Sequence, residues 1–249
     1  MDRTFVALDL ETTGLTPRLD RIIEVGAVRF QGDEVLASFQ SLVRPEVAIP
    51  RAVQELTGIR DIDVAAAPHP DVVIAELINF VGDSAVVAHS GNFDLSYLVD
   101  GDGAGKPYEL FDTLDLTRIL LPMAPSHSLP HLSRQLGLRH PHPHRALSDA
   151  DAARQLFRYL WQFARGLPRD VLDRMVEVTA GWPHPLQHFL GEAHAAAPSG
   201  MKSLPPATMT PVTPTRSTTP STDPQAIRAL LGPDGPMAGL LDEIGRAHV

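Results

Sequence analysis

A chain of 249 residues is long enough for a full hydrophobic core with segments to spare, and with no cysteine at all it contains no disulfide framework, thiolate metal site or cysteine nucleophile. Thirty acidic residues against 21 basic ones, a formal net charge of −9, argue against a protein that coats nucleic acid by charge alone, so any chemistry on phosphates has to bring its own cations. No apolar run reaches the roughly 18–20 residues that span a bilayer, and MDRTFVALDL lacks the features of a signal peptide, so a cytoplasmic protein without a membrane partner is expected.

In chain order, Thr4 to Leu10 is a near-continuous apolar run with β-branched and aromatic residues, the pattern of a strand buried on both faces. Arg21 to Phe30 and Glu34 to Val43 are two further strands, folded into a hairpin by Gln31-Gly32-Asp33. Pro50 starts a short helix that stops at Gly58. Helical spacing recurs in Val72, Val73, Leu77, Ile78 and Val81; a short buried strand, Ser84 to His89, then leads into a helix from about Asn92. A fifth strand is expected near Glu109 to Thr113, with helices over Asp115 to Leu121 and Leu129 to Leu136. Leu147, Ala150, Ala153, Phe157 and Leu160 mark an amphipathic helix over roughly Ala146 to Phe163. A strand meander followed by alternating helices and strands predicts an α/β fold, a mixed sheet flanked by helices.

Beyond this block, 166–196 reads as a small appendix of two helices broken at Gly181-Trp182-Pro183. Residues 197–224 hold seven Pro, seven Thr and four Ser and read as an extended, disordered linker. A tail, 225–249, is too short to fold alone. Its last seven residues, EIGRAHV at 243–249, are what a common short-read sequencing adapter would encode, so the natural frame is expected to run out near Asp242.

Asp9 and Glu11 stand two apart on the first strand and therefore share a face, where repulsion and desolvation call for protonation or a hard divalent cation. On their own they are equally compatible with a strand fraying into solvent. Asp94 falls in the first turn of a helix following a buried strand, the place where open α/β sheets bind ligands, although an acid there also complements the helix dipole. His144 precedes the last helix of the block and Asp149 lies five residues on, so an acid and a titratable imidazole are close, with capping by Ser148 as the plain alternative.

The ordered set Asp-x-Glu, Asp, His-x₄-Asp closely resembles the DnaQ-like (DEDDh) 3′→5′ exonucleases. The resemblance runs from about Phe5 to Trp161 and includes TTGL at Thr12 to Leu15, RIIEVGAV at Arg21 to Val28, ELTGI at Glu55 to Ile59, DTL at Asp112 to Leu114 and SHSLPHLSRQLGL at Ser126 to Leu138. It implies a ribonuclease H-like five-stranded sheet over 1–165. It also implies two divalent ions, Mg²⁺ or Mn²⁺, held by Asp9, Glu11, Asp94 and Asp149, with His144 accepting a proton from the attacking water. Thr13, Gly14, Leu15 and Phe93 would contact the terminal nucleotide. The substrate implied is a single-stranded or frayed DNA 3′ end, with RNA as a further candidate, and the product a nucleoside 5′-monophosphate. One departure is His89-Ser90, where the family usually has His-Asn.

The stretch LPRDVLDRMVEVTAGWPHPLQHFLGEAH resembles the joining region of DinG-type helicases, whose nuclease is fused to an ATPase; the alternatives are a proofreading subunit like the epsilon subunit of DNA polymerase III, docked on a polymerase, or an inactive docking module. Other signals carry less. DGDGAGKP at Asp100 to Pro107 half-mimics a phosphate-binding loop but joins a helix to a strand. His140, His142 and His144 alternate with prolines and lack a second ligand cluster for zinc. His184, His188 and His194 are expected at the surface, and Trp182 in the packing of the small helical segment.

Overall fold

The fold was analysed in a computed structural model, which describes residues 1, 3–16, 19–99, 108–181 and 184–197. The discounted phosphate-loop mimic at Asp100–Pro107, Trp182, the linker from residue 198 on and the tail lie outside the described residues. Five strands, β1 (Thr4–Thr12), β2 (Ile22–Gln31), β3 (Glu34–Leu42), β4 (Ala85–Ala88) and β5 (Leu110–Asp112), form one sheet in the order β3-β2-β1-β4-β5. The first three pair antiparallel, while β4 and β5 run parallel to β1, as a meander followed by helical crossovers requires.

Between β3 and β4 lie α1 (Arg51–Thr57), α2 (Asp61–Val64) and α3 (Pro70–Val81). α1 ends on Gly58 in the left-handed conformation, as the Pro-to-Gly span predicts. The single-turn α2 has no apolar periodicity to announce it; Asp63 accepts from the Arg60 amide and caps it locally. α4 (Gly91–Val99) follows β4, and α5 (Thr113–Leu120), α6 (Leu129–Leu136) and α7 (Ala146–Arg165) follow β5. α5 starts two residues earlier than expected, because the Asp112 carboxylate accepts from the Leu114 amide and caps it.

Strand alternation divides the core. Phe5 and Ala7 point to one face, where Phe30, Phe111 and Phe157 of α7 surround the Phe5 ring with centroids 5.2–5.8 Å away. Val6, Leu8 and Leu10 point to the other, against Val73, Leu77 and Val81 of α3 and Tyr97 of α4. The two remaining helices, α8 (Arg169–Thr179) and α9 (Pro185–Ala195), lie on the α7 side. Leu172, Leu186, Phe189, Leu190 and Ala193 join the same apolar cluster as Phe157 and Trp161. α8 and α9 thus pack on the sheet domain's own core. Among the described residues, no helix is long and apolar enough to cross a membrane.

Candidate active site

The alternation that buries Phe5 and Ala7 against α7 carries Asp9 and Glu11 onto that same face, two and four residues further along β1. The strand runs on through Glu11 to Thr12, held by antiparallel pairing in which Asp9 stands opposite Gly26 and Glu11 opposite Glu24. Its parallel neighbour stops sooner, β4 pairing only with Phe5 to Ala7. The Leu10 amide, beyond that pairing, donates to Asp94 Oδ1 at 3.2 Å. Asp94, only 4% exposed, is thereby pinned beside the two acids of β1.

The other half of the site comes from the loop before α7. A Cβ on Gly26 would lie 2.1 Å from the Leu147 nitrogen and 2.2 Å from the Ala146 carbonyl carbon, so glycine alone lets the first turn of α7 ride on β2. Glu24 is fully buried next to it and takes three bonds from this junction: Arg145 Nε and Nη2 at 3.0 and 2.7 Å, and the Ala146 amide at 3.0 Å. Gln40 of β3 adds a fourth at 2.9 Å. Just ahead of this clamp His144 adopts φ 63°, the left-handed region that costs a side-chain-bearing residue about 1–2 kcal/mol. Its amide donates to Asp149 Oδ2 at 3.0 Å. Glu11, His144 and Asp149 then present ligand atoms all within 4.8 Å of one another.

Charge follows from this packing. Burial pushes the Asp9 carboxyl well above the usual carboxylate range, and Asp94, Asp149, Glu11 and Glu24 push the same way. Burial, then Asp149 and Glu24, raise Glu11 to about 8, with Arg145 opposing. Burial likewise raises Asp94 well above the usual range; the Leu10 amide opposes this, while Asp112 and Glu11 add to it. Glu24 goes the other way. Burial alone would raise it, but hydrogen bonds from Arg145, Gln40 and Ala146 hold it below the carboxylate range. Arg145 is committed to Glu24 by a two-point bond, and Asp9, Glu11 and Asp94 ionise fully only alongside added positive charge. An oxygen-rich donor set with one imidazole matches a hard divalent cation.

The acids open into a cleft of about 560 Å³ that Asp9, Asp149 and His144 share with His89, Ser90, Leu114, Arg118, His127 and the start of α6. His89 Nδ1 lies 3.0 Å from Thr113 Oγ1, and burial depresses its imidazole below the ordinary histidine range despite the nearby Asp112. Ser90 has φ 71°. Its amide and that of Gly91 donate to the two Asp112 oxygens at 3.1 and 2.9 Å, tying this turn to the cap of α5.

Of the residues expected at the nucleotide, Leu15 is 77% exposed on the loop after β1. Thr13 is buried, and its hydroxyl is occupied, accepting from the Arg21 amide and bonding Asp20 Oδ1. The Gly14 carbonyl accepts from Thr12 Oγ1 at 2.6 Å and from the Tyr97 hydroxyl at 3.2 Å, while Phe93 packs edge-on against the Tyr97 ring. Tyr97 thus braces the Gly14–Phe93 region, a role that its place in an apolar helix pattern conceals. Glu24 is equally silent, its one signal being an acid within the apolar run Ile22 to Val28. The three alternating histidines do not converge, since His142 is exposed and His140 bonds Asp149. Farther away, His184 caps α9, His188 pairs with Glu109 and His194 with Asp173.

The RNase_T family, described as "Exonuclease", matches residues 6–157. DNA polymerase III PolC-type of Thermotoga maritima is 40% identical over 162 residues, 63% of this chain and 12% of that protein. The 3′-5′ exonuclease DinG of Bacillus subtilis is 32% identical over 191 residues, 75% of this chain and 20% of that protein. The chain therefore spans no more than about a fifth of these curated relatives. Among solved structures, exonuclease X in complex with 5′ overhanging duplex DNA is similar with a TM-score of 0.54 and 24% identity, covering 76% of this chain and 99% of that one. E. coli exonuclease I in complex with a dT13 oligonucleotide has a TM-score of 0.61 and 18% identity, covering 77% of this chain and 46% of that one. These likenesses show a shared fold.

Proposed function

The chain belongs to the RNase_T exonuclease family, and from that membership we propose that it is a metal-dependent 3′→5′ exonuclease that removes nucleoside 5′-monophosphates from single-stranded or frayed DNA ends. The observation that carries the reading is the convergence of Asp9, Glu11, Asp94, Asp149 and His144 at one end of the sheet, with Asp9, Glu11 and Asp94 driven toward protonation unless a cation joins them.

In this reading Asp9, Glu11, Asp94 and Asp149 hold two divalent ions, Mg²⁺ or Mn²⁺. Bound there, the ions neutralise charge on the scissile phosphate and acidify a water molecule. His144, held over the acids by its left-handed backbone and the Glu24 clamp, accepts the proton of the attacking water. A bond forms from the water oxygen to phosphorus and the bond from phosphorus to the 3′ oxygen breaks. The leaving 3′ oxygen takes a proton from solvent, so the shortened strand keeps a 3′-hydroxyl, and the departing nucleotide keeps its 5′-phosphate. Leu15 and Phe93 line the pocket for the terminal nucleotide, and Thr13 and Gly14 shape its backbone wall, with Tyr97 holding the wall in place.

The same residues explain how a chain with a formal charge of −9 handles a polyanion, because the positive charge that meets the phosphate arrives with the cations. The curated relatives carry this region inside much longer proteins. The reading extends to a nuclease module working with DNA-processing machinery, a fused DinG-type helicase in the first instance and a polymerase subunit in the second. Sequencing the uninterrupted gene tests that extension: an in-frame ATPase downstream supports the helicase, and a stop codon within a few codons of the tail excludes it.

The activity itself is tested by titrating Mg²⁺ or Mn²⁺ into chelator-treated protein with a 3′-labelled single strand, alongside Asp9→Ala. Cleavage that returns with metal and is absent in the variant supports the reading. Cleavage unchanged by chelation or by the substitution rejects it.

A further inference from the structure

His140 lies nine residues before Asp149, a separation at which no helix or strand period brings two side chains together. The fold joins them through α7. The side-chain amide of Gln155 accepts from the Arg139 N–H at 2.9 Å and donates to the Arg139 carbonyl at 2.9 Å, fastening the chain just before His140 to the second turn of the helix beyond Asp149. The imidazole of His140 is turned inward, its side chain 4% exposed, and its Nε2 bonds Asp149 Oδ1. Pro141 and Pro143 restrict the backbone that follows, and the His142 amide donates to Ser148 Oγ. The His144 amide then reaches the other carboxylate oxygen, Oδ2.

Both oxygens of Asp149 are thus held by one five-residue loop that also carries the proposed base. A carboxylate only accepts, so Nε2 of His140 is the donor. The other ring nitrogen, Nδ1, is buried and has no hydrogen-bond partner among the described residues. One lone pair on each Asp149 oxygen remains available.

We propose that His140 is a positioning residue for Asp149. Its Nε2–H fixes the carboxylate before a cation arrives and couples that ligand to the loop presenting His144. The inference rests on the exonuclease reading. Outer hydrogen bonds to ligating carboxylates typically contribute about 10–100-fold in metal affinity or activity.

The test uses the full chain with His140→Phe, which fills the ring's space without a donor, and His140→Gln, which returns an amide donor. Mn²⁺ affinity is measured by electron paramagnetic resonance of the free ion, kcat and KM on a 3′-labelled single strand at saturating metal, and the thermal midpoint of each protein. The expected result is Mn²⁺ binding weakened about 10–100-fold in His140→Phe, a lower kcat at an unchanged KM, and recovery of most of both by His140→Gln. Wild-type Mn²⁺ affinity and kcat in His140→Phe overturn the proposal, and so does a His140→Gln protein that folds yet is as impaired as the phenylalanine variant. If wild type binds Mn²⁺ and His140→Phe weakens that binding while neither releases nucleotides, the exonuclease reading fails and the positioning role stands.

Discussion

At the scale of single residues, the site trades stability for chemistry. Asp9 and Asp94 are both raised by desolvation first, Asp9 next by the charge of Asp94 and Asp94 by those of Asp112 and Glu11, so each ionised group works against the fold until a cation compensates it. Asp9→Asn is therefore expected to abolish nucleotide release while raising the thermal midpoint of metal-free protein at pH 8, which paired activity and melting measurements check. Glu11 sets the pH window. Its folded pKa of about 8 lies above its unfolded value near 4.5, so between those limits the folded state binds the extra proton and stability falls as pH rises. Metal-free protein should accordingly lose stability from about pH 4.5 to 8, and saturating Mg²⁺ should flatten that slope; denaturant midpoints across the range decide it. Glu24 has the opposite sign, its lowered pKa contributing stability above the unfolded value that is lost only as pH drops through the folded one. That Asp9 and Glu11 share a face and that His144 lies near Asp149 can be read from two-residue spacing on a strand and a short span before a helix, whereas grouping them with Asp94 takes the family resemblance. Glu24 and His140 were not legible, since the Glu24–Arg145 bond joins residues 121 apart and the His140 contact depends on a tether to Gln155.

At the scale of elements, two junctions set the geometry. The first is the contact of β2 with α7 at Gly26. Gly26→Ala places a methyl inside van der Waals range of the α7 backbone, so the helix start must move with Ala146, the Glu24 clamp and His144 attached to it. A loss of about 1–3 kcal/mol in denaturant stability is expected, with a larger proportional loss of kcat than of KM. Unchanged stability would show that the approach is less tight than described. The second junction is the turn from β4 into α4, where Ser90 takes the left-handed conformation that asparagine tolerates better. This gives physical content to the departure from the family's His-Asn pattern: the residue exchanged is one whose backbone benefits from Asn. Ser90→Asn is expected to stabilise the protein by up to about 1 kcal/mol, read as a higher melting midpoint, without loss of cleavage. The strands and longer helices could be read from periodicity, because β4 is apolar throughout, β1 is apolar from Phe5 to Leu8, and α7 repeats its apolar residues every three to four positions. α2 and the first turn of α5 were not, being made by the local hydrogen bonds of Asp63 and Asp112.

At the scale of the whole molecule, one sheet separates two tasks. The face against α3 is apolar to the end of β1, whereas the face against α7 is aromatic at Phe5 and acidic at Asp9 and Glu11, so the same alternation that builds the core delivers the site to its rim. The net charge of −9, read first as an argument against coating nucleic acid, fits an enzyme that meets its substrate through cations held at that rim. The helices of 166–196, expected as an appendix, share the Phe157 and Trp161 core, which apolar spacing alone does not reveal because it identifies a helix's buried face and not its partner. The most direct test is the identity of the product. A single-stranded oligonucleotide labelled at its 3′ end, incubated with the protein and Mg²⁺ or Mn²⁺ and resolved by mass spectrometry, should yield nucleoside 5′-monophosphates from the first turnover, and a 5′-labelled copy should shorten stepwise. Release from the 5′ end, internal fragments as first products, or nucleoside 3′-monophosphates would contradict the account.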